Sequence, residues 1–239
     1  MRKWALTTAC VFLVAGTAFG AGSIISSFRS PAASPIGMCY QGGYLYHMNH
    51  PAGVIYQTTT TGSIIRSITG PASGIGVHFT GSYFWVSTYS PSMIYRLSSS
   101  GSILQSFTGP AAGYGITTNG TYLWYSSARS GNMVWQLTTA GSVIRSFAGP
   151  GSFNGGLDWD SRGNLWLANW PSSGGGVFRL TTTGSVVESY SGVGRPSGCA
   201  WDGSYVWYCD YNGKYVYQMD TVITSVLPES LGRIKSIYR

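Results

Sequence analysis

The sequence predicts an all-β domain of five repeated four-stranded antiparallel sheets closed around an axis, and three observations predict it. A ten-residue segment recurs at nearly constant spacing. Each unit between its copies divides into four short strand-like pieces. An aromatic residue and a glycine recur at fixed places in every unit.

The recurring segment reads GSIISSFRSP from Gly22, GSIIRSITGP from Gly62, GSILQSFTGP from Gly101, GSVIRSFAGP from Gly141 and GSVVESYSG from Gly184. The steps are 40, 39, 40 and 43 residues, and a fading copy, TVITSVLPES, starts at Thr221. Agreement in both order and spacing marks a repeat architecture rather than a shared composition. In the second unit the pieces are GIGVHFT, YFWVST, MIYRLSS and SILQSF, each rich in β-branched or aromatic residues and bounded by Gly, Ser, Asn or Pro. Four strands per unit of about 40 residues is the signature of a propeller blade, so the fold expected is a five-bladed β-propeller. One small sheet cannot bury both of its faces alone, and blades set around an axis bury them against each other.

The fixed aromatic is Tyr46, Trp85, Trp124, Trp166 and Trp207, read as packing between blades. The fixed glycine, Gly37, Gly76, Gly115, Gly156 and Gly198, falls in the innermost strand, where backbones crowd and a missing Cβ permits close approach. Five units need five fourth strands, yet the sequence offers six. Either Ser23–Phe28 or Val222–Val226 completes the last blade, and the sequence leaves the choice open.

The first residues read as an export signal. Arg2 and Lys3 precede an apolar run from Trp4 to Phe19, and Ala18 and Gly20 suit cleavage near Gly20–Ala21. Domain boundaries follow: 1–20 signal peptide, 21–226 propeller, 227–239 a C-terminal tail that breaks the repeat. Localisation is expected to be secreted or periplasmic. No later apolar run is long enough to cross a bilayer as a helix, so no stable membrane insertion is expected once the signal is removed. Of the 14 basic residues, two lie in the signal, leaving 12 against 7 acidic ones and a net charge of +5. The arginines are scattered one or two per repeat, which argues against a nucleic-acid stripe.

Three cysteines remain: Cys39, Cys199 and Cys209. Export favours disulfides, and Cys199 and Cys209 flank a tight turn, which makes them the candidate pair across a hairpin. No CxxC or paired-His spacing gives a zinc pattern, and neither cofactor nor metal is expected.

Two sets of candidate site residues emerge. The loops after each second strand and before each first strand emerge on one face, and that face would carry His47, His50, Tyr89, Arg129, Asn169, Trp170, Arg195, Asp210 and Tyr211. Flat rings with a few polar tips suit a sugar or a peptide. The position two residues after each fixed glycine holds Cys39, His78, Thr117, Asp158 and Ala200, and equivalent positions in a ring share one height, so Cys39, His78, Thr117 and Asp158 are expected to form a polar ring near the axis. Asp160 and Asp202 precede turns and are expected to cap them. No acid precedes Asp158 and no G-x-S-x-G elbow occurs, so no catalytic residue is assigned.

At GGLDWDSRGNLWLANW (Gly155–Trp170) and GCAWDGSYVWYCDY (Gly198–Tyr211) the chain resembles NHL-type and streptogramin-lyase-like propellers, whose repeats carry an apolar–x–x–Asp–x–x–Gly–x–apolar–Trp pattern. The resemblance implies architecture. The streptogramin lyases are seven-bladed and use His and Glu with bound Mg²⁺; here the histidines are His47, His50 and His78, the glutamates Glu188 and Glu229, and that chemistry does not carry over. The function expected is an exported, non-catalytic interaction module whose partner is a protein or glycan at the cell surface. The alternatives are a lectin-like glycan binder using Tyr89, Trp170 and Tyr211, and a metal-assisted lyase or hydrolase on the side of His47, His50, His78 and Asp158. Oligomeric state is left open.

Overall fold

A computed structural model describes residues 22–128, 131–170 and 175–221. The first strand, β1 (Ser23–Arg29), precedes five runs of inner-to-outer strands. The first blade holds β2 (Pro35–Gln41), β3 (Tyr44–Asn49), β4 (Val54–Thr58) and β5 (Ile64–Thr69). The second holds β6 (Gly74–Phe79), β7 (Tyr83–Thr88), β8 (Met93–Ser98) and β9 (Ile103–Thr108). The third holds β10 (Ile116–Thr118), β11 (Tyr122–Ser126), β12 (Met133–Thr138) and β13 (Val143–Ala148). The fourth holds β14 (Asn154–Trp159), β15 (Asn164–Asn169), β16 (Gly176–Thr181) and β17 (Val186–Ser191), and the chain ends with β18 (Pro196–Trp201), β19 (Val206–Asp210) and β20 (Tyr215–Asp220).

Each run pairs antiparallel with its sequence neighbours into a four-stranded sheet, and the fifth sheet has the order β1-β20-β19-β18. The molecule is a five-bladed β-propeller. The choice the sequence left open is resolved by register: Ser23 lies opposite Asp220 and Arg29 opposite Tyr215. The N-terminal copy of the repeat therefore supplies the outer strand of the last blade. Residues 222–226, like the export signal, lie outside the described residues.

Five apolar clusters fill the five interfaces between blades. Blades one and two share Tyr46, Met48 and Ile55 with Phe79, Phe84 and Val86. Trp85 and Ile94 meet Ile116 and Leu123, Trp124 meets Leu157 and Phe178, and Trp166 and Tyr190 meet Tyr208 and Met219. The fifth cluster closes the circle: Met38 and Leu45 of blade one pack on Trp207, Cys209 and Val216 of the last blade. The fixed aromatic is buried in every blade, where a ring of this size contributes on the order of 4–6 kcal/mol of transfer free energy.

At their fixed glycines the innermost strands meet backbone to backbone near the axis. A Cβ on Gly37 would lie 2.1 Å from the carbonyl oxygen of Ile75 in blade two, and one on Gly198 would lie 2.3 Å from that of Ile36 in blade one. Gly76, Gly115 and Gly156 abut the backbone of the following blade in the same way. The outer strands carry the opposite pattern: Ile64, Ile65, Ile103, Leu104, Val143 and Ile144 are about half exposed.

Strand parity corrects the disulfide expectation. Cys209 pairs with Gly198 and Cys199 with Tyr208, so the two sulfurs leave opposite faces of the blade. Cys199 packs against blade four and Cys209 against blade one. Cys39, Cys199 and Cys209 are all free, buried thiols.

Candidate ligand-binding site

The propeller has two unequal ends. The loop face carries the connections after each second strand and between blades. The turn face carries the tight turns that join first to second and third to fourth strands.

On the loop face the expected aromatics do meet, but mainly as packing. Tyr89, Trp170 and Tyr211 join Tyr114, Phe153, Ile36 and Ile75 in one cluster over the axis. Trp170 stands edge-on to Phe153 at 4.8 Å and to Tyr211 at 5.0 Å between ring centres, and is only 9% exposed. The Arg195 guanidinium covers its ring at 5.0 Å. Asn169 is buried, donating from Nδ2 to the Pro150 carbonyl at 2.9 Å. Asp210 ties the loops, accepting backbone N–H bonds from Arg195 at 2.9 Å and Gly213 at 3.0 Å. His50 sits on this face with Nδ1 3.3 Å from the Gly74 carbonyl oxygen. Arg129 lies outside the described residues. His47 is not on this face at all. It follows Leu45 by two residues in β3, so it points into the seam between the last and first blades, fully buried, with Nε2 2.8 Å from Thr58 Oγ1 and its ring edge-on to Phe28 at 6.0 Å. Burial drives its pKa down to about 3.

Near the turn face the axial ring forms as a hydrogen-bonded group. Thr117 donates from Oγ1 to Asp158 Oδ1 at 3.1 Å, and His78 Nδ1 lies 3.0 Å from Thr117 Oγ1 and 3.4 Å from Asp158 Oδ1. The backbone N–H of Trp201 donates to Asp158 Oδ2 at 2.8 Å. A hydroxyl has one proton, and with it committed to the carboxylate, His78 Nδ1 must be the donor to Thr117. Nε2 makes no hydrogen bond among the described residues. Asp158 is almost wholly buried, and these partners are what such a carboxylate requires. Cys39 is adjacent: its Sγ accepts the Phe79 N–H at 3.2 Å, and burial, with the Asp158 charge adding to it, raises its pKa well above the ordinary thiol value. It is no nucleophile.

This group opens into a cavity of about 350 Å³ lined by Tyr40, His78, Asp158, Trp159, Ser161, Trp201 and Asp202 among others. A larger groove of about 660 Å³ runs outward between the last and first blades, lined by Phe28, Tyr40, Thr60, Thr61, Asp202, Tyr205, Trp207 and Gln218. Tyr40 and Asp202 line both, so the two adjoin on the turn face. Asp202 also does the turn-capping expected of it. Oδ1 accepts the N–H of Ser204 at 2.8 Å and of Tyr205 at 2.7 Å, while Oδ2 accepts the indole N–H of Trp207 at 2.7 Å. Asp160 likewise caps its turn and pairs with Arg179 at 2.8 Å.

The sequence did not single out Tyr40, Trp159, Trp201 or Gln218. A signal existed: the residue after each axial position is Tyr40, Phe79, Thr118, Trp159 and Trp201, aromatic in four units of five and next to a turn. Among the described residues no group of three His, Cys, Asp or Glu side chains is placed to hold a metal ion.

A five-bladed propeller with an aromatic cluster at one end and two adjoining polar pockets at the other belongs to an architecture that serves both binding modules and enzymes. No protein-family profile and no curated protein matches the sequence. Among solved structures the chain is similar to the glutaminyl cyclase of Myxococcus xanthus, with a TM-score of 0.68 and 15% identity over 84% of this chain and 97% of that one. It is also similar to a catalytically inactive histidine-to-alanine variant of virginiamycin B lyase from Staphylococcus aureus with quinupristin, with a TM-score of 0.52 and 20% identity over 82% of this chain and 69% of that one. The WD40 propeller domain of Doa1 superposes with a TM-score of 0.54 and 12% identity over 78% of this chain and 63% of that one. At such identities what is shared is the fold.

Proposed function

We propose that the protein is an exported, non-catalytic binding module, secreted or periplasmic, that holds a surface glycan in the turn-face pockets. The observation that carries this reading is that the axial cavity and the inter-blade groove lie side by side, with Tyr40 and Asp202 lining both. The walls combine aromatic surface with hydroxyls of Ser26, Ser27, Thr60, Thr61 and Ser204, the Gln218 amide and a carboxylate. Aromatic area covers a sugar ring while such polar groups orient its hydroxyls. On the loop face, by contrast, the rings are spent on one another.

The test is a glycan array followed by titration of the best hit, read by the indole N–H signals of Trp159, Trp201 and Trp207. Binding is expected to weaken about tenfold or more in Tyr40→Ala and Gln218→Ala and to be unchanged in Tyr211→Ala. Loss in Tyr211→Ala with no change in the two pocket variants would overturn the assignment. Capture of an extended peptide with no glycan bound would replace the ligand class.

A second reading has its own observation. His78, which lines the cavity and is oriented through Nδ1 by Thr117 and Asp158, has the arrangement of a general base, and a solved lyase of similar fold is inactivated at a histidine. It predicts a product detectable by mass spectrometry on incubation with quinupristin, absent for His78→Gln. No product from the parent protein would remove it.

A further inference from the structure

We infer that the axial cavity is a seat for a primary ammonium group on the ligand, such as an amino sugar or a lysine side chain. The inference rests on the binding reading and narrows it. The chain has only seven acidic residues against 14 basic ones, yet two of the seven, Asp158 and Asp202, line this one cavity and no Lys or Arg does. Chance placement in a basic protein would favour the opposite sign. Asp158 is almost wholly buried, so its charge is weakly screened, and its Coulomb attraction for a cation a few ångströms away exceeds that of an exposed carboxylate several-fold.

The rest of the lining has the same preference. Tyr40, Trp159 and Trp201 line the cavity, and Trp159 and Trp201 are held rigid by stacking on Trp124 and Trp166, with interplanar angles of 17° and 23°. Rings fixed beside a carboxylate attract a cation through their quadrupoles. A volume of about 350 Å³ lies at the small end of ligand cavities and holds one sugar ring or one alkylammonium chain.

The experiment titrates the protein with a glucosamine trimer, its N-acetylated counterpart and the peptide Gly-Lys-Gly, read by calorimetry and by the Trp159 and Trp201 indole signals. Saturable binding of the glucosamine trimer or of the peptide, at least tenfold tighter than the neutral acetylated trimer, is expected, and which of the two binds identifies the source of the ammonium. Ser161 is exposed and lines the cavity, so Ser161→Lys places a positive charge at the mouth without disturbing packing. It is expected to weaken binding at least tenfold, and Ser161→Gln by less than twofold. Equal binding of the acetylated trimer, or indifference to Ser161→Lys, would overturn the ammonium seat. If Gln218→Ala still weakened binding in that case, the pockets would stand as a glycan site. If neither Gln218→Ala nor Ser161→Lys mattered, the binding reading would fall with it.

Discussion

Replacing Gly37 with alanine tests the ring at its tightest point. The added Cβ would lie 2.1 Å from the Ile75 carbonyl oxygen, 2.8 Å from Gly76 Cα and 2.9 Å from Val77 N. All three are backbone atoms, so no side chain can swing away. Ordinary contact would require β2 to retreat from β6 by about 1 Å. Retreat is blocked, because β2 is pressed from the other side by β18, where Gly198 comes within a Cβ's reach of Ile36 and Met38. Overpacking a core commonly costs 1–3 kcal/mol. With backbone on both sides the cost is expected at about 3 kcal/mol or more, a fall in Tm of about 6–12 °C for a domain of this size. The control is Gly120→Ala, which meets no atom within 4 Å and pays only for its φ of +90°, about 1–2 kcal/mol. Calorimetric melting of the three proteins is the assay. A Gly37→Ala protein melting within about 2 °C of the parent would refute the argument that blade-to-blade backbone contact sets the axis.

Other outcomes follow from particular groups. Trp85 has a buried indole N–H without a partner, while in the last blade Asp202 satisfies Trp207. Thr80 occupies the place of Asp202 in its own turn, accepting the Tyr83 N–H at 3.2 Å, so Thr80→Asp is expected to raise stability by about 1 kcal/mol, seen as a higher denaturant midpoint. His47 has a native pKa of about 3 against 6.5 unfolded. The unfolded chain therefore takes up a proton that the native site refuses, and stability is lost progressively as pH falls from about 6.5 towards 3. His47→Leu should flatten that part of a urea-denaturation profile. The thiols of Cys39 and Cys199 are held well above the usual range and that of Cys209 is pushed up to about 11, chiefly by burial, so a thiol reagent should leave all three unlabelled in the native protein and label them once it is unfolded. Deleting residues 22–29 bares β20 and removes Phe28 from the closing seam. The truncated protein should melt lower and recover on addition of the peptide SIISSFRS.

The architecture was legible because the repeat states its physics several times. A glycine where backbones cross and an aromatic where sheets lean together recur at one period, and both do what their positions require. The axial group was legible for the same reason: equivalent positions in a closed ring share a height, and His78, Thr117 and Asp158 do meet. The loop face was less legible. Exposed rings and rings packed on one another have the same sequence, and Trp170 reads as a platform until Phe153 and Tyr211 are seen against it. His47 was misplaced because a two-residue periodicity decides which seam a side chain enters, and a histidine near the end of a strand looks like a loop residue. The cysteine pair failed by the same parity, since residues that flank a turn face one another only if their register agrees.

The closing strand has a consequence for how the molecule is made. Ser26 bonds to Gln218 across 192 residues of chain, so β1 must wait for β20, made far later in synthesis, before it finds its neighbour. The Met38 and Leu45 side of blade one has its partners only once the last blade is made. Such long-range joining is slow relative to hairpin formation. Because β1 pairs with β20, the last blade cannot be completed, nor the ring closed, before both of these strands have been made.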